Sequence, residues 1–315
     1  MPEPLNLFAP AARQKTKLRM ALQGVSGGGK TLSALYIAYG MTGDWGKVAL
    51  IDTEHDRALE YAARSDLPIP TGQFLHAHMD PPYSVEKYIQ YVRMGADIVG
   101  PDGVVIVDSL SHAWAGAGGV LEYKDAIAAT QRGQNSYTAW NAAGKLQNTM
   151  VDTILSVPCH TICTLRVKQD YALQPNERGK MEPVKLGLAP IQRENLEYEF
   201  DIVLNIARNH IATTSKDVTF LDGFGAVITP QLGKDLAAWL NEGKEPVRIL
   251  CADCGGIKDS VQKSTGELIP AAQCAAMAQK YVGRPLCKAC LLKAMKQKKE
   301  GSAHDPSQPA QEPAQ

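Results

Sequence analysis

The stretch Gly24-Val25-Ser26-Gly27-Gly28-Gly29-Lys30-Thr31 constrains the fold more than any other part of the chain. It fits G-x-x-x-x-G-K-[ST], the loop that holds nucleotide phosphates. A short apolar run, Leu18 to Leu22, precedes it, and a helical pattern, Thr31 to Met41, follows. The motif requires that strand–loop–helix order, because successive backbone N–H groups must converge on an anion. Side chains would block that approach, so the cradle is built from Gly24, Ser26, Gly27, Gly28 and Gly29. The helix N-terminus adds positive potential. Lys30 is placed to reach the β- and γ-phosphates, and the Thr31 hydroxyl to ligate Mg²⁺. A chance glycine-rich turn is the alternative, and the flanking strand and helix argue against it.

Beyond this loop, short apolar runs alternate with helical patterns up to about residue 165. Lys47 to Asp52 and Val104 to Asp108 read as buried strands, Phe74 to His78 as a weaker one, and Thr161 to Leu165 as another. Ser84 caps a helix reaching about Met94, and Tyr137 to Leu155 reads as a long helix. Such alternation predicts βαβ units and a mainly parallel sheet. Residues 166–196 form a basic excursion with little helical periodicity. Strand character returns at Tyr198 to Ile206 and near 217–220, and Lys234 to Asn241 closes the domain as a helix.

Two acids complete a hydrolytic set. Asp108 ends the run Val104-Val105-Ile106-Val107, the Walker B arrangement in which a carboxylate helps hold Mg²⁺. Glu54 falls just past the strand Val48 to Asp52, where a carboxylate can activate water in line with the γ-phosphate. Residue types alone leave a second reading open, that Asp52 or Glu54 caps a helix starting near His55.

The chain has 315 residues, enough for one large α/β domain and a small accessory unit. Its 33 basic and 33 acidic side chains cancel, so net charge points to no partner. No apolar stretch approaches the ~18 residues a membrane span needs, and the N-terminus lacks a signal-peptide core. These features lead us to expect a cytoplasmic protein with no membrane partner.

Four of the seven cysteines form two CxxC knuckles, Cys251/Cys254 and Cys287/Cys290. Each knuckle turns two thiolates to one side, and two knuckles complete a tetrahedral Zn²⁺ site. Cys274, Cys159 and Cys163 read as small buried residues. From Lys244 to Lys299 there are eleven Lys/Arg against four Asp/Glu, so this module is locally basic and suited to DNA. The expected organisation is a leader (1–17), an α/β ATPase core (18–243), a four-cysteine zinc module (244–299) and a Pro/Gln/Ala-rich disordered tail (300–315).

The trio GVSGGGKT, IDTEHDRA and VVIVDSLSHAW resembles the ATPase core of RecA-family recombinases, and is most similar to short phage-encoded members that include single-strand annealing proteins. The resemblance spans about residues 18–240. It implies a RecA-like α/β fold, DNA-stimulated ATP hydrolysis, Glu54 as catalytic base, Asp108 on the Mg²⁺ side, and ATP bound between subunits of a ring or filament. It places Arg166, where the family carries Gln, at the γ-phosphate sensor position. It also implies two DNA-binding loops. The first, about Ala113 to Ser136, carries Tyr123, Lys124 and Arg132. The second, about Val167 to Pro190, carries Lys168, Tyr171, Arg178, Lys180 and Lys185. Arg166, Lys168 or Arg193 could serve a neighbouring subunit as an arginine-finger-type cation. Expected partners are single-stranded DNA, further copies of the chain, and a single-strand DNA-binding protein. Two other classes stay open: a P-loop kinase or phosphotransferase with 166–196 as its lid, and a nucleotide-switched loader with weak hydrolysis.

Overall fold

Near-continuous apolar runs bury both faces of a strand, as central parallel strands require. In the computed structural model β1 (Arg19–Gly24), β2 (Val48–Asp52) and β4 (Val104–Asp108) are buried at every position. The structure describes residues 11–130, 136–175, 181–244, 250–257, 260–261, 268–269 and 271–301. The first ten residues of the expected leader and all but the first two residues of the expected tail lie outside them.

The remaining core elements are α1 (Lys30–Thr42), β3 (Leu75–His78), α2 (Val85–Val99), α3 (Ser111–Ala115), α4 (Val120–Thr130), α5 (Ser136–Ser156), β5 (His160–Pro175), β6 (Met181–Pro190), β7 (Ile202–Ile206), β8 (Ile211–Lys216), β9 (Gly225–Val227) and α6 (Pro230–Leu240). The sheet runs β3-β2-β4-β5-β1-β7-β8-β9. It is parallel from β3 to β7 and antiparallel at β8 and β9. This is the α/β fold of a P-loop NTPase. The strand carrying Asp108 is not the neighbour of the P-loop strand, because β5 lies between them.

Helices cover both faces. Alternate residues of β4 divide between them: Val105 and Val107 pack with α2 and α5, Val104 and Ile106 with α1 and α6. Helices α1 and α6 touch backbone to backbone at Gly40 and Gly233. A Cβ on Gly40 would lie 1.9 Å from the Pro230 carbonyl oxygen, and one on Gly233 would lie 2.1 Å from that of Ile37.

Three expectations are corrected. The second expected loop is largely strand where it is described: β5 continues past the sheet to Pro175 and pairs antiparallel with β6 (Met181–Pro190) as a long hairpin. The stretch from Ala113 toward Ser136 is mostly helical, as α3 and α4. The strand expected near 217–220 lies earlier, at β8, because the Asp217 carboxylate accepts bonds from the N–H groups of Thr219 and Leu221 and ends the strand in a turn.

The chain divides into two compact units, 1–244 and 245–315. The second has two-residue strands β10 (Leu250–Cys251), β11 (Gly255–Gly256), β12 (Ser260–Val261) and β13 (Leu268–Ile269), and helices α7 (Ala271–Val282) and α8 (Lys288–Gly301). Its core is small, centred on Cys251, Ile257, Cys274, Ala278, Leu286 and Leu291. Among the described residues no helix is long and apolar enough to cross a membrane.

Candidate active site

Parallel strands deliver their C-terminal ends to one edge, where α/β proteins bind ligands. Here register places Gly24 of β1 beside Arg166 of β5, and Asp52 of β2 beside Asp108 of β4. The residues singled out around the P-loop therefore meet at one edge.

The loop after β1 uses glycine where the backbone turns left-handed, with φ of 76° at Gly27 and 91° at Gly29. Gly29 precedes α1, so the N–H groups of that helix open toward the cradle. Lys30 Nζ donates to the carbonyl oxygens of Gly24 (2.9 Å) and Val25 (3.1 Å). Burial lowers its pKa, against the opposing charges of Asp108 and Glu54. The Thr31 hydroxyl donates to Asp108 Oδ2 at 2.5 Å, and the Thr164 hydroxyl donates to Oδ1. Asp108 is 2 % exposed. Burial holds its carboxyl above the ordinary carboxylate range, against those two hydroxyl donors. A buried carboxylate held by threonine hydroxyls, with no cationic hydrogen-bond partner among the described residues, is the oxygen set a hard divalent cation takes. Thr31 and Asp108 thus fit Mg²⁺, which would supply charge neutralisation to bound phosphates.

The two acids of the Asp52-Thr53-Glu54 turn separate clearly. Asp52 accepts from the backbone N–H of Glu54 (2.6 Å) and of Ala58 (3.0 Å), so its side chain caps the first turn of the short 3-10 segment Arg57–Tyr61 from outside, Asp56 holding the N-cap position itself. Glu54 faces Arg166 in a bidentate pair, with Arg166 Nε 2.6 Å from Glu54 Oε1 and a second bond from Nη2 to Oε2. Burial would raise the Glu54 carboxyl, but Arg166's hydrogen bonds and charge outweigh it and hold the pKa below its ordinary value. The same pair raises the Arg166 pKa. His112 of α3 adds a third group. Its Nδ1 lies 2.7 Å from the Thr53 hydroxyl, and its ring stacks on Tyr83 with centroids 4.9 Å apart. Burial, helped by the Arg166 charge, lowers its pKa.

This pairing predicts a pH effect. A depressed Glu54 pKa keeps the base form present at lower pH than a free carboxylate would allow. Replacing Arg166 with Gln removes the charge, so the acid limb of kcat/KM, which reports the free enzyme, is expected to move to higher pH. A profile from about pH 4 to 8 checks this. An unmoved limb would show that Arg166 does not set the ionisation of the acting base.

Sequence reasoning missed Thr164 and His112. A lone threonine in a buried strand and a lone histidine on a short helix carry no spacing signal; only the sheet order brings them to Asp108 and Thr53. Of the expected DNA-contacting lysines and arginines, Lys168 is exposed on β5, opposite Ala189 of β6. Lys185 lies on β6 opposite Tyr171, while Arg132, Arg178 and Lys180 lie outside the described residues. Arg193 is exposed and donates to Asn148 Oδ1 at 2.8 Å. Its neighbour Gln192 is buried and bridges Gln147 of α5 to the Leu110 carbonyl.

In the second unit, Cys251, Cys254, Cys287 and Cys290 bring their sulfurs within 4.8 Å of one another. Burial would raise the Cys251 thiol, but the backbone N–H groups of Cys287, Asp253 and Cys254 outweigh it and bring it down to about 6. The neighbouring sulfurs push Cys254 up to about 12. Four crowded sulfurs cannot all ionise without a counter-charge, so the donor set suits a tetrahedral soft cation such as Zn²⁺. Cys274 stands apart, buried against the Ile269 carbonyl.

Comparison with known proteins agrees with this geometry. Residues 16–225, about two thirds of the chain, match the AAA domain family. The chain belongs to that family. The matched span covers the P-loop, Glu54, Asp108 and Arg166, and as an AAA domain the protein is a nucleotide-binding P-loop ATPase. The chain matches no curated protein at a significant level.

Proposed function

We propose that this AAA domain couples ATP hydrolysis to single-stranded DNA, in recombination, annealing or repair, as the RecA-like motifs imply. Lys30 and the glycine loop hold the phosphates, and Thr31 and Asp108 hold Mg²⁺. Glu54 activates water, and Arg166 positions Glu54. The observation that carries the reading is the β5–β6 hairpin. It leaves the sheet directly after Arg166, and the Arg166 carbonyl accepts the Ile191 N–H where the hairpin returns. A strand of DNA held on that hairpin would therefore act on the group that holds the base. Lys168, Arg178, Lys180 and Lys185 are the segment's phosphate-contacting candidates, set among the acids Asp170, Glu177 and Glu182. The basic four-cysteine unit, stapled by Zn²⁺, offers a second DNA contact.

ATP bound between subunits makes assembly nucleotide-dependent. With a non-hydrolysable ATP analogue, Mg²⁺ and oligo-dT, the protein is expected to sediment as rings or filaments, and without nucleotide as smaller species. Monomers under every condition would contradict the subunit-interface site. Product analysis separates the rival class, since a phosphorylated acceptor in place of free phosphate would identify a kinase.

A further inference from the structure

Helix α5 carries two stripes. Ala139, Ala143, Met150 and Ile154 are buried in the core. Tyr137, Trp140 and Gly144, spaced three and four residues apart, form a second stripe that lines a cavity of about 240 Å³. Tyr137 is 76 % exposed and Trp140 43 % exposed, so their rings add little to the core. Across from them Trp114 of α3 packs one side on the core and stacks on Trp140, with ring centroids 6.1 Å apart and planes at 27°. Two cations edge the cluster. Lys124 Nζ sits 4.9 Å over the Trp140 ring and pairs with Asp125 at 2.5 Å, and Arg193 lines the cavity from the other side.

A fold has little reason to leave two large aromatic rings this open, and their surroundings suit one class of ligand. Flat π-faces take flat π-systems regardless of their hydrogen-bonding edges, and nearby cations take a chain of anions. We propose that Trp114, Tyr137 and Trp140 form a stacking site for unpaired bases of single-stranded nucleic acid, with Lys124 and Arg193 contacting its phosphates. The inference rests on the proposed DNA function and assigns residues outside the β5–β6 hairpin: Trp114 and Lys124 from the first expected DNA-binding stretch, Tyr137 and Trp140 from α5, and Arg193. Stacking is sequence-tolerant, so the site would hold any strand whose bases are unpaired and reject duplex. Trp114 sits six residues beyond Asp108, in α3, the helix that directly follows β4, which ties the site to the nucleotide edge.

The test compares binding of a fluorescein-labelled oligo-dT and an abasic strand of equal length by the full chain. The abasic strand keeps the phosphates and lacks the bases. Wild type is expected to bind oligo-dT roughly tenfold more tightly than the abasic strand, the effect of about one stacked base. Trp140→Phe keeps a ring and should keep most of that preference; Trp140→Leu should lose it. Should Trp140→Leu fail to fold, Tyr137→Leu, at a far more exposed position, carries the same comparison and should weaken the preference. Equal binding of both strands by wild type overturns the stacking site and leaves the DNA function standing. A dT preference that survives Trp140→Leu and Tyr137→Leu overturns the placement. No binding of either strand, at low salt and with nucleotide, removes the DNA function itself and the inference with it.

Discussion

Glu54→Gln is expected to reduce kcat for ATP hydrolysis by about 10²- to 10⁴-fold, the range a general base contributes. Nucleotide affinity should change little, because the phosphate cradle, Lys30 and Thr31 lie on β1 and α1 while Glu54 lies beyond β2. The amide keeps the size of the carboxylate and loses both its charge and its capacity to take a proton. It also leaves Arg166 without the anion it grips through two nitrogens. Single-turnover hydrolysis and equilibrium binding of a labelled nucleotide separate the two effects. A variant that binds ATP and turns it over at the wild-type rate would place the base elsewhere, and Asp52, locked as a cap by Glu54 and Ala58 N–H groups, would not be the substitute.

The second large effect concerns the four-cysteine unit. Its described strands are two residues long and its core is a handful of small and aliphatic side chains, too little apolar burial to order it alone. Structural Zn²⁺ contributes about 10–16 kcal/mol of apparent binding free energy near neutral pH, and in such units that is folding free energy. The purified chain is therefore expected to carry one zinc per chain. Chelation, or Cys287→Ser, should collapse amide-exchange protection across α7 and α8 while the α/β unit keeps its own unfolding transition. Cys274→Ser, outside the cluster, should leave the zinc content unchanged. Metal-free protein with α7 and α8 still protected would contradict the assignment.

What the sequence makes legible follows from how local each signal is. The P-loop, the β4 run and the paired CxxC knuckles are contiguous or closely spaced, so strand, turn and ligand positions can be read directly. The Glu54–Arg166 pair joins residues 112 apart and becomes visible only when β5 inserts between β4 and β1. The same insertion brings Thr164 to Asp108. The hairpin escapes notice because its strands carry Pro183, Gly187 and several polar residues, which break the alternation by which a strand is read. Asp52 and Glu54 are equivalent as residue types, and only the geometry tells Asp52, which accepts backbone N–H groups, from Glu54, which faces Arg166. The aromatic stripe on α5 is hidden for another reason. Trp140 and Tyr137 look like core residues in a helical pattern, and the structure shows the core on a different face.

The most direct measurement is phosphate release by the full chain with Mg²⁺ and ATP, alone and with single-stranded or duplex DNA. The account predicts slow turnover alone, stimulation severalfold or more by single strands, and little by duplex. Turnover indifferent to DNA would leave an AAA-domain ATPase in place and contradict the coupling of its hydrolysis to single-stranded DNA.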